Sequence, residues 1–147
     1  MADVVFRTKA KISNGLAVQC EARGFSFILD GRTTLGGNDK GMNPAEALLA
    51  TLGACKCIIV KVFAEKQGIN LKSVQIDVEG QIDPNGFLAG DKQGSSGFSH
   101  ITTRYYVDAR NTEDEVRKYV DFVEHNCPVM DTILNTPEFD TELHCCK

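Results

Sequence analysis

The sequence predicts an α+β fold, with strands in groups separated by helical regions rather than alternating with them one for one. Three observations carry this. Residues 5–30 read as β-rich segments broken by Asn14-Gly15 and Gly24. The stretch 47–60 is apolar apart from Thr51, Gly53 and Lys56 and is of helical length. Residues 71–107 return to strand-like patterns before a second helical stretch.

Taken in order, Val5–Ile12 alternates and is rich in β-branched residues, and Asn14-Gly15 is a hairpin signal. Leu16, Val18, Cys20 and Ala22 form the inward face of a return strand, with Cys20 expected to pack as a small hydrophobe. A third strand, Phe25–Asp30, follows. Residues 31–42 are polar and glycine-rich but lack Gly-Lys-Ser/Thr and Gly-x-Gly-x-x-Gly, so a flexible connection is expected rather than a phosphate cradle. Asn43-Pro44-Ala45-Glu46 opens a helix as cap, first position and third position, and Gly68 stops it after about Gln67. Being apolar nearly all round in its first turns, it should be central, covered by sheet and other helices. Leu71–Ile82 is a strand, Asp83-Pro84-Asn85-Gly86 a turn, and the glycine- and serine-rich stretch to Gly97 a mobile loop. Phe98–Val107 is another strand. Thr112-Glu113-Asp114-Glu115 is a capping box opening a helix whose Val116, Tyr119, Val120 and Val123 make a core stripe. Cys127-Pro128 can start a further helix, and Phe139–Leu143 reads as a last short strand.

At 147 residues one domain, 1–147, is expected. A net charge of −4 and no cluster of five or more Lys or Arg argue against a nucleic-acid partner. The apolar stretch at 47–60 is too short to span a bilayer, and residues 1–5 lack the basic and apolar regions of a signal peptide. A cytoplasmic protein with no membrane partner is the expectation.

Chemistry points to the cysteines at 20, 55, 57, 127, 145 and 146, which do not fit a disulfide scaffold in a reducing compartment or the usual zinc spacings. Cys55 and Cys57 lie about 200° apart around a helix, so at most one faces a given pocket. Cys127, before Pro128 at a helix start, sits where the macrodipole and free amides lower a thiol pKa, although it can equally be an ordinary cap. Cys145-Cys146 beside His144 leaves a tetrahedral zinc one ligand short. Glu46 is a helix cap or a group that polarises a thiol. Arg32 and Arg23 are cations for a thiolate or solvated surface residues.

The run Gly41-Met42-Asn43-Pro44-Ala45-Glu46-Ala47-Leu48-Leu49-Ala50-Thr51-Leu52-Gly53-Ala54-Cys55, with Asn126-Cys127-Pro128-Val129 following, resembles the OsmC/Ohr family across nearly the whole chain. The resemblance implies strongly curved antiparallel sheets wrapped around central helices in an intertwined homodimer, with sites at the dimer interface. It implies a cysteine-based peroxidase that reduces small organic hydroperoxides and is regenerated by a dithiol reductant, with no metal, flavin or other cofactor. Cys55 would be the peroxidatic thiol and Cys127 the resolving thiol, with Glu46 and an arginine, Arg32 or Arg23, tuning them. Where well-marked peroxidases of the family have glutamate directly after Asn-Pro, this chain has Ala45, and the acid follows as Glu46. That departure motivates a rival expectation, a non-enzymatic thiol sensor or a binder of small apolar ligands. A third is metal binding through Cys57, Cys145, Cys146 and His144.

Overall fold

The structure is a computed structural model that describes residues 2–12, 14–88 and 95–146. It divides into two units, residues 1–50 and 51–147, and the boundary falls within the first helix.

In the first unit, β1 (Lys9–Ile12), β2 (Val18–Ala22) and β3 (Phe25–Leu29) form an antiparallel sheet in that order. The tight two-residue turn is Arg23-Gly24, which joins β2 to β3 with Ala22 opposite Phe25. Both turn residues have positive φ, 52° and 87°, as the hairpin turn matching strand twist requires. Asn14-Gly15 lies instead in the longer loop from Ile12 to Val18, with Gly15 at φ 62°. The first strand is also shorter than expected, because residues 5–8 take no ladder partner.

The glycine-rich stretch is an organised loop rather than a flexible connection. Asp30, 2% exposed, accepts backbone N–H bonds from Gly31 at 2.7 Å, Lys40 at 3.1 Å and Asn38 at 3.2 Å. Burial alone would push this carboxyl up, but the three amide donors, helped by the Lys40 charge, hold it below the ordinary aspartate value. A one-turn 3₁₀ segment, Thr33–Leu35, sits within the loop. At Gly41 a Cβ would meet the Ile28 carbonyl oxygen, so only glycine allows that approach.

Helix α1 (Pro44–Phe63) opens as expected: Asn43 Oδ1 accepts from Glu46 N, and Glu46 Oε2 accepts from Asn43 N, both at 2.9 Å. Hydrogen-bonded turns carry the chain on to Gly68, at φ 72°, where Ile69 N bonds Ala64 O and Gly68 N bonds Glu65 O, a Schellman stop. The helix is not covered all round by its own chain. Leu52, Gly53, Lys56 and Val60 are buried, whereas Ile58 and Val62 are 61% and 63% exposed.

In the second unit, β4 (Leu71–Ile82) and β5 (Phe98–Ala109) pair antiparallel, with Val74 opposite Val107, Ile76 opposite Tyr105 and Val78 opposite Thr103. These six side chains share the inward face. A methyl at Gly53 would lie 3.2 Å from Val78 Cγ2, so α1 rides close over β4. The Asp83–Gly86 turn proves to be the start of a short helix, α2 (Pro84–Leu88). The expected mobile loop falls mostly on residues 89–94, outside the described residues.

Helix α3 (Glu113–Asn126) opens on the expected capping box, with Glu115 N donating to Thr112 Oγ1 at 3.3 Å and Thr112 N to Glu115 Oε2 at 2.8 Å. Its Tyr119 and Val123 meet Val60, Ala64 and Ile69 in the core, and Tyr119 Oη donates to the Val60 carbonyl at 2.7 Å. Helix α4 (Pro128–Leu134) follows, capped by Cys127. The expected last strand is absent: residues 139–143 have no regular secondary structure, are exposed and have no ladder partner. Alternation there reflects no sheet.

Candidate functional site

Helix α1 carries Cys55 and the junction of α3 and α4 carries Cys127. The fold brings these sulfurs, 72 residues apart in sequence, to 3.2 Å. Both thiols are free; Cys55 is partly buried and Cys127 is 1% exposed. A disulfide needs about 2.0 Å, so roughly 1 Å of approach would join them.

The expectation that Cys127 would be acidic is overturned. It does cap a helix N-terminus, with Met130 N donating to its sulfur at 3.5 Å. Burial nevertheless pushes its thiol up, Cys55 adds to that, and the Met130 and Val129 amides oppose without prevailing. Cys127 thus keeps its proton and donates it toward the Cys55 sulfur.

Cys57 lies about 200° around the α1 axis from Cys55. Burial raises its pKa, with a hydrogen bond from the Ile76 backbone pulling the other way. Cys145 and Cys146 are exposed in the C-terminal segment. Among the described residues no group of three or more His, Cys, Asp or Glu side chains is arranged to hold a metal ion, so the Cys57–His144–Cys145–Cys146 set is not assembled.

In the first unit, Arg32 Nη2 meets Glu46 Oε1 at 2.7 Å while Glu46 Oε2 closes the capping box. Glu46 is therefore both a cap and an arginine partner. Arg32 first, then the Asn43 amide, hold its carboxyl below the ordinary glutamate value. Arg23 lies over the Phe25 ring at 5.4 Å. Of the two candidate arginines, the geometry pairs Arg32 with the glutamate.

Sequence reasoning missed a polar cluster beside the thiols. Lys56, 1% exposed, donates from Nζ to Glu124 Oε1 at 2.7 Å, Glu124 Oε2 at 3.0 Å and Thr103 Oγ1 at 3.0 Å. Tyr105 Oη donates to Glu124 Oε1 at 2.6 Å. Burial and the Glu124 carboxylate push the Tyr105 phenol well up, so it stays a neutral donor. A signal existed: Lys56 is the one charge in the apolar stretch 47–60, and a buried charge needs a partner. Lys56, Thr103 and Glu124 of this cluster line a cleft of about 500 Å³ together with Leu52, Phe98, Ile101, Met130 and Leu134. Neither Cys55 nor Cys127 lines that cleft.

Two free thiols in contact, one on a helix and one at a helix start, define a dithiol protein on an antiparallel α+β scaffold. The family model described as OsmC-like protein matches residues 37–142, and the chain belongs to that family. It is 26% identical over 137 residues to a Mycoplasma genitalium protein named hydroperoxide reductase, covering 93% of this chain and 92% of that one. To a Mycoplasma pneumoniae protein of the same name it is 28% identical over 109 residues, covering 74% and 72%. Its fold matches the crystal structure of an OsmC-like protein from Mycoplasma pneumoniae with a TM-score of 0.80 at 24% identity, covering 92% and 91%. Among the described residues no helix is long and apolar enough to cross a membrane.

Proposed function

We propose that the chain is a thiol-dependent peroxidase that reduces small organic hydroperoxides, its whole length acting as one OsmC-like domain. The observation that carries this reading is the 3.2 Å contact between Cys55 and Cys127. The names of the two Mycoplasma relatives support it.

In this reading the Cys55 thiolate attacks the terminal peroxide oxygen. The O–O bond breaks, an S–O bond forms, and the peroxide leaves as an alcohol after taking up a proton. Cys127 then attacks the sulfenic sulfur, forming the disulfide and releasing water, which protects Cys55 from irreversible overoxidation. An external dithiol reduces the disulfide. A proton retained on Cys127 suits the second thiol, because it donates to the attacking sulfur and leaves with the water. The Arg32–Glu46 pair belongs to the same proposal as the group favouring the thiolate, with no metal or other cofactor taking part.

The reading includes a cytoplasmic homodimer. Apolar side chains left in solvent on β3 (Phe25, Phe27) and on α1 (Ile58, Val62) support a second copy as their cover. Light scattering on purified protein should give twice the 16.1 kDa chain mass.

The direct experiment follows loss of an alkyl hydroperoxide in the presence of a dithiol. Cys55→Ser should abolish turnover, and Cys127→Ser should lose sustained turnover and, by taking a second equivalent of peroxide at the unresolved sulfenic acid, accumulate sulfinic acid at Cys55. Unchanged turnover in Cys55→Ser would remove that residue from the mechanism.

A further inference from the structure

We infer that the buried Lys56–Glu124 pair is the positioning device that holds Cys55 and Cys127 in register for disulfide closure. This rests on the two-thiol reading of the site and assigns Lys56 and Glu124 a part in it.

Lys56 directly follows Cys55 on α1, and Glu124 lies three residues before Cys127 on α3. The ion pair and the sulfur pair therefore join the same two chain segments, about one helical turn apart along α3. The ammonium spends its three protons on the two Glu124 oxygens and Thr103, and Tyr105 adds a third bond to the carboxylate. No buried side-chain N or O atom among the described residues lacks a partner, so the cluster is fully satisfied. The β5 strand supplies both Thr103 and Tyr105, so the clamp also ties the two helices to the sheet.

Burying such a pair gives little net stability over apolar side chains of similar volume. What it does impose is direction. The carboxylate takes the ammonium with both oxygens, which fixes how far α1 can slide along α3. Closure requires about 1 Å of sulfur movement, and a misplacement of that size slows a reaction by up to about a hundredfold. The hydrogen bonds of Lys56 and Glu124 go to each other, Thr103 and Tyr105 rather than to either sulfur, so they act through the helices that carry the thiols.

The test uses full-length protein and a peroxide-independent oxidant, diamide. One thiol adds to its N=N bond, and the second displaces the adduct to give disulfide and hydrazine. Closure is followed by quenched alkylation and mass measurement, and the intrinsic reactivity of Cys55 by iodoacetamide in a Cys127→Ser background. Lys56→Met should slow closure at least about tenfold while Cys55 alkylation changes less than about threefold. The isosteric Glu124→Gln should show the same split and serves where Lys56→Met fails to fold. Lys56→Met/Glu124→Leu should fold well and still close slowly. Wild-type closure rates in folded Glu124→Gln or in the double variant would overturn the inference, since packing alone would then align the helices. A wild-type protein that closes with diamide but consumes no hydroperoxide sinks the peroxidase reading and leaves this one standing on its own rates. A wild-type protein that does not close with diamide sinks both.

Discussion

Helix α1 makes two ion pairs of identical 2.7 Å length and opposite character. Arg32–Glu46 stands in water, its side chains 63% and 42% exposed, whereas Lys56 is 1% exposed and Glu124 28%. The same distance therefore carries different weight. Solvent screens the first pair, which contributes little to folding and remains free to respond to a nearby anion. In the second, Lys56 has given up its hydration and Glu124 most of it, so removing one partner strands the other. Pair length alone says nothing about role. The environment does.

The largest expected effect falls on the buried pair. Lys56→Met should destabilise the protein by about 3 kcal/mol, read from denaturant midpoints, because Glu124 is left with Tyr105 as its remaining donor. Adding Glu124→Leu should recover most of that loss. Failure to recover would mean that the cluster stabilises the fold in its own right, unlike the usual buried pair.

Arg32→Ala should do the converse. The denaturant midpoint should barely move, while under the proposed function the rate of Cys55 oxidation falls about tenfold, the effect of losing one cation that favours a thiolate. A change in stability with no change in rate would make Arg32 a surface residue.

Acid provides a third and smaller separation. The folded pKa values of Asp30 and Glu46 are both depressed. Each thus contributes stability that is present above the unfolded carboxylate pKa and is lost as pH falls through the lower folded one. Asp30→Asn should be less stable than wild type at pH 7, and the gap should shrink as pH falls below about 4. Urea midpoints at the two pH values check this; a gap independent of pH would mean that the charge on Asp30 is immaterial to its three amide bonds.

These contrasts also explain what could be read before any coordinates. Both capping boxes were legible, because Asn43 with Glu46 and Thr112 with Glu115 are satisfied within four residues. The β4 strand and the Tyr119–Val123 stripe were legible as periodicity. The family motifs drew Cys55 and Cys127 together, and the sulfur contact agrees with that pairing. Lys56 was passed over because its partner lies 68 residues away, and only a tertiary contact turns a lone charge into a network. The acidity expected of Cys127 failed for a related reason: the helix start is local, but the burial that outweighs it comes from the surrounding fold. At residues 139–143 the pattern was real but had no neighbouring strand to pair with, and a strand is defined by its neighbour.

Gly53 gives the thiol pair a vertical coordinate. With a bare hydrogen facing Val78, the helix sinks onto the sheet two residues before Cys55, and that seating sets the depth of the sulfur. One added methyl would press on Val78 Cγ2, and that side chain or this stretch of α1 would have to give by a few tenths of an ångström. An atom missing from a neighbouring residue thus lets the thiol-bearing helix lie this close to the sheet.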